Sequence, residues 1–216
     1  MGTPKLKYCG MTSLRDFQVA SQSKADYIGF IFAESKRKVL PQDVKGWIDH
    51  TDPAGKKLVG IFVNESVPSI VQTAAESSLD VIQLHGDETV SEITELKKQL
   101  SPEKKIWKAL HHNDKTLQLM ETYSPAVDGF VIDTFSKKQR GGTGESFPWE
   151  YIPSYTKAAI EAGKDCFIAG GISAENVEDL MKWKPSGVDL SSGIEENGRK
   201  SSALIKMLEE RMFHHE

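Results

Sequence analysis

The chain has 216 residues, a formal net charge of −4 and two cysteines, with 27% charged and 38% hydrophobic residues. Acidic and basic residues are interspersed, which argues against a nucleic-acid partner, since a phosphate-backbone binder needs a clustered basic face. No apolar run approaches the ~20 residues that span a bilayer, no signal peptide precedes the first strand, and two cysteines make no disulfide framework. The expectation is a cytoplasmic globular chain, one domain over residues 1–216, with no membrane or nucleic-acid partner and self-association left open.

In chain order, short apolar runs alternate with helical patterns. Leu6–Cys9 reads as a strand, followed by a helix over Ser13–Gln22. Tyr27–Phe32 precedes a helix over Pro41–Ile48, and Leu58–Val63 precedes one over Val67–Ser77. Val81–Leu84 leads to Val90–Leu100, where Ile93, Leu96 and Leu100 keep helical spacing. Ile106–Leu110 leads to Lys115–Tyr123, and Gly129–Ile132 to Trp149–Glu161. Cys166–Ala169 leads to Ala174–Trp183, and Gly187–Leu190 to the closing helix Ser202–Phe213.

Eight strands alternating with helices predict an α/β fold with a parallel sheet. An even repeat of about 25 residues favours a closed (β/α)8 TIM barrel over an open doubly wound sheet. The first strand ends in Cys9-Gly10-Met11-Thr12 and lacks the glycine fingerprint of a dinucleotide binder.

Active sites of such barrels gather at the C-terminal strand ends. Side chains alternate along a strand, so Lys7 and Cys9 share a face, as do Gln83 and His85, and Asp189 and Ser191. All can point into the barrel mouth, where residues chosen for packing alone would not be polar. Cys9 and Asp133 end strands one and six, on opposite sides of the ring, and suit a base and an acid flanking one substrate. A thiol base needs a field that favours the thiolate, and Lys7 is placed to supply it. Lys7 and Asp189, on neighbouring strands once the barrel closes, are also expected to form a buried ion pair.

Gly170-Gly171 after strand seven, with a helix beginning near Ser173, and Ser191-Ser192-Gly193 after strand eight occupy the usual phosphate positions of this fold. Arg37, in the loop after strand two, suits a substrate carboxylate by bidentate hydrogen bonding. Gly141-Gly142-Thr143-Gly144 lies in a long loop after strand six and suits a cover over the site. No Cys/His cluster has metal-ligand spacing, and the adjacent pairs His111-His112 and His214-His215 project divergently. No metal and no cofactor are expected.

Several stretches together resemble phosphoribosylanthranilate isomerase. They are Lys7-Tyr8-Cys9-Gly10-Met11-Thr12, Gly29-Phe30-Ile31-Phe32 with Ser35-Lys36-Arg37, Gln83-Leu84-His85-Gly86, Ile132-Asp133-Thr134, Ala169-Gly170-Gly171-Ile172, and Asp189-Leu190-Ser191-Ser192-Gly193-Ile194-Glu195. The resemblance covers nearly the whole chain in order. It implies a TIM barrel of tryptophan biosynthesis that performs an Amadori rearrangement of a phosphosugar, N-(5-phosphoribosyl)anthranilate, without a cofactor. It implies Asp133 as general acid at the furanose ring oxygen and Cys9 as general base at C2. Arg37 would hold the anthranilate carboxylate, and the loops after strands seven and eight the phosphate. Gln83, His85, Gly142, Gly170, Gly171, Asp189, Ser191, Ser192 and Gly193 complete the expected substrate-binding set. The chain departs from the family pattern at Ser201 and Pro148, where aspartate is common. The sister isomerase of histidine biosynthesis would want an aspartate in place of Cys9 and a second phosphate site. A sugar-phosphate epimerase would want metal-binding His and Asp pairs. A non-catalytic phosphosugar binder would need neither Cys9 nor Asp133.

Overall fold

All eight apolar runs are strands of one parallel barrel. In a computed structural model describing residues 3–133 and 148–213, the strands are β1 Lys5–Cys9, β2 Tyr27–Ile31, β3 Lys57–Phe62, β4 Val81–Leu84, β5 Lys105–His111, β6 Gly129–Asp133, β7 Asp165–Ala169 and β8 Gly187–Leu190. Each pairs with the next in sequence, and β8 closes back on β1, placing Lys7 opposite Asp189. Helices α1 Leu14–Ser21, α2 Pro41–His50, α3 Val67–Glu76, α4 Val90–Gln99, α5 Thr116–Tyr123, α6 Ile152–Glu161, α7 Val177–Met181 and α8 Ser202–Phe213 follow their strands.

Register sorts the strand residues into two cores. Outward residues such as Leu6, Ile28, Ile82, Ile106, Phe130 and Ile168 pack beneath the helices. Inward residues Tyr27, Val59, Ile61, Val81, Trp107, Val131 and Phe167 fill the barrel. Tyr27, Trp107 and Phe167 form its aromatic floor, with ring centroids 4.7–5.4 Å apart. A floor this bulky keeps the interior a packed core rather than a pore. At the opposite, N-terminal end, Asp26, Asp80 and Asp128 each precede an even strand. Each accepts the backbone N–H of the odd strand before it, from Leu6, Leu58 and Ile106. The barrel bottom is therefore fastened by a repeated carboxylate clamp, which leaves the top for chemistry.

Local signals explain the helix starts. Thr89 and Glu92 complete a capping box on α4, and Ser13 caps α1. One helix expectation needs correction. The helix expected over Ala174–Trp183 is only Val177–Met181, because the Asn176 side chain accepts from Ser173 N–H and donates to Gly171 O. An Asn placed there offers the backbone an alternative to helix. The stretch around Asn197 is a hairpin of β9 Glu195–Glu196 and β10 Arg199–Lys200. Asn197 and Gly198 both have positive φ, as a tight two-residue turn requires.

Candidate active site

Strand β1 brings Cys9 to the mouth with only 8% of its surface exposed, and puts Lys7 below it, fully buried. Lys7 Nζ donates to Asp189 Oδ2 at 2.7 Å, the ion pair expected across the β1–β8 seam. Burial works against the ammonium, but Asp189 and then Cys9 outweigh it and hold Lys7 above its ordinary value. Lys7 supplies the field expected of it, but burial of the thiol outweighs that field. Burial pushes Cys9 up; Lys7 and Lys200 oppose it, while Asp189 takes back part of Lys7's field. Cys166 faces the outer core, and burial pushes it up to about 12.

Across the mouth, β4, β5 and β6 deliver His85, His111 and Asp133. His85 Nε2 lies 3.6 Å and His111 Nδ1 4.0 Å from Asp133 Oδ2. His111 and His112 diverge as expected: His111 faces Asp133, while His112 Nδ1 lies 2.7 Å from Tyr155 Oη. Sequence reasoning ended the fifth strand at Leu110 and so left His111 outside the mouth. Register pairs it directly with Asp133. The turn after His85 is held by Glu88, which accepts from the N–H groups of Gly86 and Asn64 and pairs with buried Lys108 at 2.9 Å. Lys108 also donates to Gly86 O.

Three expected binding residues carry a buried polar atom that makes no hydrogen bond among the described residues: Gln83 Oε1, Asp189 Oδ1 and Ser191 Oγ. Orphaned buried polar atoms cost about 1–3 kcal/mol each, and these three belong to β4, to β8 and to the residue that follows β8.

Arg37 reaches the mouth from the loop after β2. Its Nε and Nη2 donate to the two carboxylate oxygens of Glu195 at 2.7 and 2.6 Å. This fork spends two of five N–H donors and leaves three for a ligand. Lys200, from the hairpin, donates to Glu195 and to Ser191 O. Burial opposes the charge of Glu195, but Arg37 and Lys200 outweigh it and hold its carboxyl below the usual range. Glu195 and Lys200 were missed from sequence, though Asn197-Gly198 between charged pairs signals the hairpin that places them.

The loops after β7 and β8 meet backbone to backbone. A Cβ on Gly193 would lie 1.8 Å from Ile172 O, so only glycine permits that approach. Gly170 and Gly171 both take positive φ. The expected helix start near Ser173 is a turn instead, and β8 is followed by the 3-10 turn Ser192–Ile194. Gly142 and its neighbours lie outside the described residues. Among the described residues, no helix is long and apolar enough to cross a membrane.

Known proteins match this arrangement along the whole chain. A family model described as N-(5'phosphoribosyl)anthranilate (PRA) isomerase matches residues 6–211. The N-(5'-phosphoribosyl)anthranilate isomerase of Bacillus licheniformis is 55% identical over 215 residues, covering 100% of this chain and 98% of that one. The crystal structure of phosphoribosyl anthranilate isomerase from Thermotoga maritima superposes with a TM-score of 0.81 at 30% identity, over 97% of this chain and 98% of that one. A structure of such an isomerase in complex with reduced 1-(o-carboxyphenylamino)-1-deoxyribulose 5-phosphate superposes at 0.76 and 28% identity, over 97% and 98%.

Proposed function

The chain belongs to the phosphoribosylanthranilate isomerase family, and we propose that Cys9 and Asp133 are the base and acid of its rearrangement. The reaction converts N-(5'-phosphoribosyl)anthranilate to 1-(2-carboxyphenylamino)-1-deoxyribulose 5-phosphate in tryptophan biosynthesis. Asp133 gives its proton to the furanose ring oxygen as the C1–O bond breaks, and the anilino nitrogen lone pair forms the C1=N bond. Cys9 then takes the proton from C2. Those electrons form C1=C2, the imine electrons return to nitrogen, and the resulting enol becomes the ketone when C1 gains a proton. The imine is the electron sink throughout.

The observation that carries this reading is the layout of the mouth: a recessed thiol ends β1 and a carboxylate ends β6, three strands apart around the closed ring. Two cations, Lys7 and Lys200, oppose the burial of the thiol, which is the field a thiolate requires. Arg37 offers its three remaining donors to the anthranilate carboxylate, and Glu195 aims it. Gln83, Asp189 and Ser191 hold unspent acceptors toward the sugar hydroxyls. The facing loops of Gly170-Gly171 and Ser191-Ser192-Gly193 enclose the phosphate. The same proposal takes residues 1–216 as one catalytic domain, working in the cytoplasm on a phosphosugar and on no nucleic acid.

Turnover is followed by loss of the aminobenzoate fluorescence of the substrate. Cys9→Ala and Asp133→Asn each lower kcat by ~10² or more, the scale of a lost acid or base, with far smaller change in product affinity. Near-full activity in either variant rejects the role given to that residue.

A further inference from the structure

The ends of three adjacent strands converge on one point. His85 follows β4, His111 ends β5 and Asp133 ends β6, and one ligand atom from each lies within 4.8 Å of the others. We propose that His85, His111 and Asp133 form a binding site for a divalent transition ion, zinc above all, and that the bound ion shuts off the isomerase.

Two imidazoles and a carboxylate are the donor set of an open zinc site, which keeps a fourth position for water. Zinc bonds of ~2.0–2.2 Å at tetrahedral angles place ligand atoms about 3.3 Å apart. His85 and His111 stand 3.6 and 4.0 Å from Asp133 Oδ2, so closure needs shifts of ~0.3 and ~0.7 Å on those sides. His111 is free to make the larger adjustment toward His85, because its side chain is 65% exposed. Zinc, with no d-electron preference, tolerates such an irregular cage better than other ions. The backbone beneath is fixed. His85 N–H donates to Phe62 O, His112 N–H to Asp133 O, and His111 O accepts from Asn113 and Thr116. A coordinated Asp133 has no proton to give, so the inhibition, though not the binding, rests on Asp133 being the general acid.

The test uses EDTA-stripped, untagged chain and zinc ion, with a chromophoric chelator as competitor. One equivalent binds the native chain. His111→Gln and His85→Gln weaken it at least ~10-fold, the loss that even outer-sphere partners cause. His50→Gln, His112→Gln and the double change at His214 and His215 leave the affinity unchanged. Zinc inhibits native turnover, EDTA restores it, and His111→Gln needs at least ~10-fold more zinc for the same inhibition. Native-like zinc affinity and inhibition in both His111→Gln and His85→Gln overturn the proposal. Loss of zinc binding in Cys9→Ala, with those two variants unaffected, refers the metal to the thiol and also overturns it. Turnover of metal-free Asp133→Asn tests the acid separately: full activity there removes the catalytic role while the chelator titration still decides the site.

Discussion

Replacing Lys7 with methionine tests how the barrel mouth is held together. Methionine keeps the apolar stem but removes the charge that faces Asp189 at 2.7 Å, where the two side chains are 0% and 8% exposed. Removing one member of a buried pair costs about 3–5 kcal/mol, because the other charge is stranded. Protonation offers Asp189 little escape. At neutral pH, neutralising a carboxyl with an ordinary value of 3.8 costs ~4 kcal/mol. For a chain of this size each kcal/mol moves Tm by ~2–4 °C, so Lys7→Met lowers Tm by about 6–20 °C at pH 7. Near pH 4 the penalty shrinks, since Asp189 there takes up a proton at little cost. Lys7→Met with Asp189→Asn recovers most of the loss, because nothing charged is left stranded. Urea unfolding followed by circular dichroism, with the m-value unchanged, reads these differences. A Lys7→Met loss under ~1 kcal/mol, or no recovery in the double variant, would show that the pair is solvated and not a structural clamp.

Three further outcomes follow from the same geometry. Iodoacetamide modifies Cys9 slowly at neutral pH and faster as pH rises through the alkaline range, because burial holds the thiol up, while Cys166 stays unmodified by mass spectrometry. Lys200→Met slows the Cys9 reaction further, since Lys200 opposes that rise; a pH-independent rate refutes both statements. Glu195 has a depressed carboxyl, so it contributes stability above its ordinary 4.5 that is lost as pH falls through its folded value. Glu195→Gln accordingly shows a shallower loss of Tm below pH 4.5, and a slope equal to native contradicts the Arg37–Glu195–Lys200 network. Gly193→Ala forces apart the loops after β7 and β8, where the added Cβ would sit 1.8 Å from Ile172 O. It raises KM at least ~10-fold, the worth of about one charge-assisted hydrogen bond, with kcat less affected; a native KM refutes the phosphate placement.

How much of this was legible in the sequence depended on the range of the interaction that decides each feature. Strand identity is local, so the apolar runs gave all eight strands. Face alternation is local too, and it sufficed to pair Lys7 with Asp189 once closure of the barrel was assumed. Where a boundary is set by a partner elsewhere, local reading stopped short. The fifth run ends on its last apolar residue, Leu110, but pairing with β6 carries the strand through His111. The shortened α7 was decided by one Asn side chain competing with the helix. The Arg37–Glu195 fork joins residues 158 apart in sequence. The direction of the Cys9 shift is a sum over burial and three charges from β1, β8 and the hairpin, and no single neighbour predicts it.

Metal-ligand spacing shows the same divide most sharply. Along the chain the closely spaced histidines are adjacent pairs, and the side chains of His111 and His112 diverge. Around the ring, neighbouring strands stand ~4.8 Å apart, so strand-end residues on β4, β5 and β6 reach one another whatever their separation in sequence. His111 lies two residues beyond the inward-facing Ala109, and His85 two beyond the inward-facing Gln83, so alternation sends both toward Asp133. In a parallel barrel, ligand sets are written across the strand ends rather than along the chain. The acid proposed for the isomerisation is thus also the residue through which a metal ion would silence it.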